Sequence, residues 1–170
     1  MSFAALTSAL VVRQGAATDW QGFALPRVLY ASTLVLLLSS VTMEFSRRRL
    51  LAGLKSNGET NEVFSVSQSW LFITLGLGLL FVAGQILAVR SLASQGIYLS
   101  TNPSSSFFYV FTVLHGLHVL GGILGLLYAL RRLKPESLEA GSATLTAAAT
   151  YWHFLAVLWV YLLIVLAVRM

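Results

Sequence analysis

The chain has 170 residues, of which 57% are hydrophobic and only 10% charged, with a formal net charge of +5. Its mean hydropathy of +0.80 excludes a water-soluble domain and places it among integral membrane proteins. It contains no cysteine, which excludes disulfides, thiolate nucleophiles and thiolate metal sites.

The first apolar stretch, SFAALTSALVV at 2–12, is too short to cross a bilayer. It has no basic residues ahead of it and no clear small-residue cleavage site behind it, so it does not read as a signal peptide. A re-entrant or half-length helix, or the tail of a longer one, is the expectation. A membrane-crossing helix needs about 20 mostly apolar residues, and four runs qualify: 24–46, 70–89, 107–130 and 147–168. The predicted fold is an all-α membrane protein, a single integral membrane domain over 1–170 with four transmembrane helices and an amino-terminal partial helix.

The first span closes on Glu44 and the run Arg47, Arg48, Arg49. Glu44 is the only carboxylate near a span, and its spacing predicts pairing with Arg47 or Arg48 at i+3 or i+4 while the side chain snorkels. A turn-like loop, KSNGETNEV, follows. The second span carries Gly76, Gly78, Gly84 and Gln85, and leads into the polar stretch SLASQGIYLSTNPSSSFFYV. There Ser104 to Ser106 are candidate caps for the next helix, and Phe107, Phe108 and Tyr109 form an interfacial aromatic cluster.

The third span contains FTVLHGLHVLGG, with His115 and His118 three residues apart, and with Gly116, Gly121, Gly122 and Gly125. Small residues let helices approach closely in a bilayer, and Gly121 with Gly125 has GxxxG spacing, so this face is expected against protein. The fourth span, within ATYWHFLAVLWVYLL, holds the third histidine, His153.

Basic residues set the orientation. Arg47, Arg48, Arg49 and Lys55 follow the first span and Arg131, Arg132 and Lys134 follow the third, while Arg13, Arg27, Arg90 and Arg169 are scattered over the other ends. Seven clustered against four makes the loops after the first and third spans cytoplasmic and the carboxy terminus external. The positive charge is thereby topogenic, and nothing in it points to nucleic acid.

His115 and His118 share one helix face. Two chemistries use such a pair: ligation of metal or haem by neutral imidazole, or hydrogen bonds that tie helices together. By rise per residue, only His118 and His153 fall near one level, which allows at most one haem. If the histidines bridge helices, the candidate acceptors are backbone carbonyls and hydroxyls such as those of Thr33, Ser39 and Ser40 on the first span or Tyr151 on the fourth. The last three spans hold no ionised residue in mid-membrane and no broken helix, unlike an autonomous pump or coupled transporter. The residues alone therefore leave a small membrane cytochrome using His118 and His153, or a membrane scaffold or assembly protein whose histidines are structural.

The stretches LPRVLYASTLVLLLSSVT, LGLLFVAGQ, FFYVFTVLHGLHVLGG and TYWHFLAVLW together resemble successive helices of subunit III of haem-copper respiratory oxidases, over nearly the whole chain. His115, Gly116, His118, Gly121, Trp152 and His153 match its motifs residue by residue, and Gln85 matches the glutamine of the preceding helix. Family members have five to seven spans, so 2–12 corresponds to the end of a family helix. The resemblance implies a subunit of the bacterial cytoplasmic membrane that carries no catalytic residue, metal or cofactor itself. Its implied partners are catalytic subunit I, which holds haem and copper, other oxidase subunits, and membrane lipids. Stabilisation of subunit I and support of proton uptake are the implied tasks. Departures bear on the second task. Ala156 stands where the family often has an aspartate, Ala88 where it often has a carboxylate, and Arg47 and Arg48 where many members have a histidine pair. The membrane glutamate of the family helix before the first span has no counterpart here. These differences speak against direct proton collection and leave a scaffolding role, with structural histidines.

Overall fold

The computed structural model describes residues 2–16, 27–55, 60–96, 103–133 and 138–169. They form five helices: α1 Ser2–Ala16, α2 Arg27–Lys55, α3 Thr60–Ser94, α4 Pro103–Arg132 and α5 Leu138–Arg169. Helices α2 to α5 are each long and apolar enough to cross a membrane, whereas α1 is a short apolar helix. The chain is an integral membrane protein.

Each long helix overruns its apolar run. At 35 residues, α3 is about 52 Å long, well beyond the roughly 30 Å of hydrocarbon. An apolar run marks where lipid lies and not where a helix stops. Most of KSNGETNEV is accordingly helical, and only residues 56–59 of it lie outside the described residues, as does Lys134 of the second basic cluster. At its far end α3 closes on Gly96, whose φ of +77° is the left-handed conformation that a helix stop asks of glycine. The Gln95 and Gly96 amides donate to Leu92 O and Ala93 O, both at 3.1 Å. Helix α4 begins at Pro103, a residue preorganised for a first turn, so that Ser104 to Ser106 lie inside that turn and not ahead of it.

The long helices run alternately up and down in a ring, α2 against α3, α3 against α4, α4 against α5, and α5 back against α2. Helix α1 lies outside the ring on α4, with Phe3 stacked on Phe111 at 6.5 Å between ring centroids. Buried positions repeat with alternating steps of three and four. On α2 they are Leu29, Ser32, Leu36, Ser39, Met43, Ser46 and Leu50, none more than 5% exposed. On α3 they are Ser67, Leu71, Thr74, Gly78, Phe81, Gln85, Ala88 and Leu92. A 3.5-residue period is that of left-handed knobs-into-holes packing. Two buried indoles, Trp152 and Trp159 of α5, fill the middle, and Trp159 meets Phe81 of α3 edge-on at 5.4 Å.

Glycines make room for these rings, though not the two that GxxxG spacing selects. A Cβ on Gly125 would meet nothing within 4 Å, and one on Gly121 only the Tyr151 hydroxyl at 3.7 Å. Neither is a close helix contact inside this chain. On Gly122 a Cβ would come to 2.8 Å from Leu155 and 3.3 Å from Trp152, and on Gly78 to 2.8 Å from Trp152. Gly122→Leu is therefore expected to cost about 1–3 kcal/mol by overpacking, and Gly125→Leu almost nothing, in thermal unfolding of the detergent-solubilised chain. Equal midpoints for the two variants would show that Gly122 is not a contact.

Candidate functional site: a polar seam with an ionic end

Every seventh residue on the buried face of α2 is a serine, and each of the three reaches a different partner. Ser32 accepts from Gln85 Nε2 at 3.0 Å while donating to Leu29 O at 2.9 Å. Ser39 accepts from Trp152 Nε1 at 3.1 Å. Ser46 donates to Ser67 O at 2.8 Å. Between these rungs Thr33 accepts from Trp159 Nε1 at 2.9 Å, Thr42 bonds Thr74 at 2.8 Å, and Ser40 bonds His153 Nδ1. The partners lie on α3 and α5, so α2 is the hub of a hydrogen-bonded seam through the bundle. Such groups have no water to turn to in hydrocarbon, which is why they pair across helix boundaries, although Gln85 Oε1 and the Ser67 hydroxyl are buried without a partner among the described residues.

The seam ends in charge. Glu44 Oε1 accepts from Arg47 Nη2 and Arg48 Nε, both at 2.7 Å, and Oε2 accepts from Arg47 Nε at 2.9 Å. His153 Nε2 lies 3.5 Å from Oε2. One carboxylate thus gathers two guanidinium groups and faces an imidazole. Arg47 binds it with both arms of its fork, the geometry that guanidinium favours. The Glu44 side chain is 24% exposed, Arg47 29% and Arg48 73%, so the cluster sits at the rim of the bundle.

The three histidines do three different things. His153 turns both ring nitrogens to α2, on Ser40 and Glu44. His118 donates from Nδ1 to Leu114 O of its own helix at 2.8 Å and lies against Phe3 of α1, 5.3 Å between centroids. His115 is fully buried, stacked on Trp159 at 4.8 Å and edge-on to Phe81 at 5.9 Å. Neither of its nitrogens has a hydrogen-bond partner among the described residues. The expectation that His115 and His118 hydrogen-bond to other helices is thus corrected. The acceptors named for them are engaged, but by α5: Thr33 by Trp159, Ser39 by Trp152, Ser40 by His153. Tyr151 donates to the backbone carbonyl of His118 at 3.2 Å, not to its ring.

A haem held between His118 and His153 does not fit this arrangement. One ring nitrogen of His118 and both of His153 are occupied or faced by protein groups, and the two rings lie against α1 and α2 respectively. Of the other motif residues, Trp152 and Gln85 are in the seam, Gly116 is half-buried on α4, and Gly121 and Gly125 lie toward its outer side. Ala88 and Ala156, which stand where the resemblance leads one to look for carboxylates, are both buried. Sequence reasoning missed Trp159, Thr74 and Ser67. The signal available for them was the seven-residue spacing of Ser32, Ser39 and Ser46 and of Trp152 and Trp159.

Comparison with known proteins gives this geometry a context. The family described as cytochrome c oxidase subunit III matches residues 15–168. Among curated relatives, the probable cytochrome c oxidase subunit 3 of Nocardia farcinica is 37% identical over 103 residues, which is 60% of this chain and 50% of the relative. The probable cytochrome c oxidase subunit 3 of Mycobacterium tuberculosis is 33% identical over 135 residues, 79% of this chain and 62% of the relative. The cytochrome c oxidase subunit 3 of Corynebacterium diphtheriae is 32% identical over 133 residues, 78% and 60%. The match thus spans about half to three-fifths of the length of these relatives.

Proposed function

Because the chain belongs to the cytochrome c oxidase subunit III family, we propose that it works as a non-catalytic membrane subunit of a haem-copper terminal oxidase, beside a catalytic subunit that carries the haem and copper. What supports this most is how the motif side chains are used. The Trp152 indole N–H, both His153 ring nitrogens and Gln85 Nε2 are directed to Ser39, Ser40, Glu44 and Ser32, so these side chains hold helices together. The membrane-facing side chains of the four long helices include many large exposed hydrophobic residues, available to lipid and to neighbouring subunits. Stabilising the catalytic subunit is the task that a rigid, internally bonded bundle suits.

The setting we infer is a bacterial cytoplasmic membrane, with the α2–α3 and α4–α5 connections on the cytoplasmic side where the arginine clusters lie. The Glu44 cluster then sits at the cytoplasmic end. For a part in proton uptake, Glu44 and His153 are an ionisable pair that the fold brings to that end. Both carboxylate oxygens already accept from arginine, which favours the scaffolding task over proton collection.

Affinity purification from native membranes in mild detergent, with partner identification and a reduced-minus-oxidised spectrum, tests the proposal. The expected result is co-purification with a haem-containing oxidase subunit, while the chain produced alone shows no Soret band. A stoichiometric haem spectrum from the isolated chain that disappears in His118→Ala would overturn it in favour of a cytochrome.

A further inference from the structure

The groove between α3 and α4, about 350 Å³ in volume, has three polar residues in an otherwise apolar lining: Gln85, Thr112 and Arg90. Gln85 and Thr112 are only 6% and 5% exposed, and neither Gln85 Oε1 nor Thr112 Oγ1 has a hydrogen-bond partner among the described residues. Gln85 is nine residues from the Ser94 end of α3 and Thr112 nine residues from the Pro103 start of α4, so both stand about 13.5 Å in from neighbouring helix ends. One is a carbonyl oxygen that can only accept, and the other carries a hydroxyl proton to donate. The two helices do not close on each other at this level. A Cβ on Gly84 would lie 3.0 Å from Ser32 Cβ, so α3 is drawn against α2, while a Cβ on Gly116 of α4 would meet nothing within 4 Å. His115 is not part of the groove wall, since its ring lies against Trp159 and Phe81.

We infer that one buried water joins Gln85 Oε1 to Thr112 Oγ1 and thereby carries the polar seam from α2 through α3 to α4, a helix that no rung of the seam otherwise reaches. The water donates one proton to Gln85 Oε1 and accepts the proton of the Thr112 hydroxyl. A void lined by hydrocarbon alone stays dry, whereas a buried water needs at least two polar partners and about 30 Å³ of room. The groove supplies both. A hydrocarbon chain in the same place carries neither donor nor acceptor and would leave both oxygens unpaired. Arg90 is exposed and nearer the Ser94 end of α3, where a guanidinium on its long stem stays in touch with interfacial water. The bridge also gives a reason for an amide at position 85. Nε2 donates to Ser32 at 3.0 Å on one side, Oε1 accepts on the other, and one side chain ties three helices. A carboxylate there could not donate, and a leucine could do neither. The site rests on the membrane setting of the chain and not on the identity of the oxidase.

The test combines electron cryo-microscopy of the full chain with its co-purifying subunits, at a resolution that shows ordered water, with a double-mutant cycle of Gln85→Leu and Thr112→Val in the detergent-solubilised chain. A discrete peak about 2.6–3.2 Å from both oxygens is expected in wild type and in Thr112→Ser, which keeps the hydroxyl, and none in Thr112→Val. The cycle should return a coupling worth about threefold in the unfolding equilibrium constant, the average for an interhelical hydrogen bond in a membrane, which a bridging water nearly matches. Additive losses in the cycle, no peak in wild type, or a peak as strong in Thr112→Val as in wild type would overturn the bridge. So would continuous density of an acyl chain at the place of the peak, or a side chain of another subunit there. Failure of the oxidase reading shows separately, as absence of oxidase subunits from the same preparation.

Discussion

Trp152→Ala is expected to produce the largest loss of stability of any single side-chain truncation in this chain, about 3–5 kcal/mol. The indole is 1% exposed and fills space that Gly78 and Gly122 leave free on two other helices. Truncation opens a cavity bordered by three helices, and glycine has no side chain with which to relax into it. In a bilayer, helix association depends on such contacts, because lipid is as apolar as the side chains it competes with. The lost hydrogen bond to Ser39 is the smaller part, about 0.5–2 kcal/mol. Ser39→Ala alone should reveal that part, and Trp152→Phe should fall between the two. Thermal unfolding followed by circular dichroism in one detergent measures all three. If Trp152→Ala costs no more than Ser39→Ala, the indole is not the centre of packing described here.

His153→Leu and His115→Phe are expected to move stability in opposite directions, although both histidines belong to the same family motifs. His153 links α5 to Ser40 and faces Glu44, so its replacement leaves a hydroxyl unpaired and the carboxylate without its α5 neighbour. A loss of about 1–2 kcal/mol follows, and a double-mutant cycle with Ser40→Ala should return a coupling of about 0.6–1.7 kcal/mol. His115 is buried between Trp159 and Phe81 with both nitrogens unpaired among the described residues. Phenylalanine keeps the ring contacts and removes two unsatisfied polar atoms, so His115→Phe should gain about 1 kcal/mol. A loss in His115→Phe as large as that in His153→Leu would show that a polar group outside the described residues satisfies the His115 imidazole.

The membrane class, the four spans and the short first helix were legible in composition and run length, because burial of apolar surface and span thickness dictate both. Helix ends were not. Thr60 to Gln68 and Gly141 to Thr146 are helical yet carry little lipid-facing hydrophobicity, and a hydropathy reading stops where the lipid does. The Glu44 contacts to Arg47 and Arg48 could be read from local spacing, since i+3 and i+4 neighbours meet on any helix. The fate of the histidines could not. Spacing places His115 and His118 on a common face, but which atoms face them depends on the order of helices around the ring and on the depth at which each helix is set. GxxxG spacing has the same limit: the motif states that a close approach is possible, and inside this chain Trp152 sets it at Gly122.

The serine ladder of α2 also bears on how this helix finds its correct alignment. Leu29, Leu36, Met43 and Leu50, like Ser32, Ser39 and Ser46, repeat every seven residues, so a slide of α2 by one heptad, about 10.5 Å along its axis, would lay one nearly identical face over another. Shape alone would barely tell the two alignments apart. Glu44 breaks the degeneracy, because the equivalent positions one heptad away are Leu37 and Leu51, and a slide would offer His153 a leucine where it now faces a carboxylate. The ionic end of the seam thereby works as an index mark on an otherwise repetitive ruler.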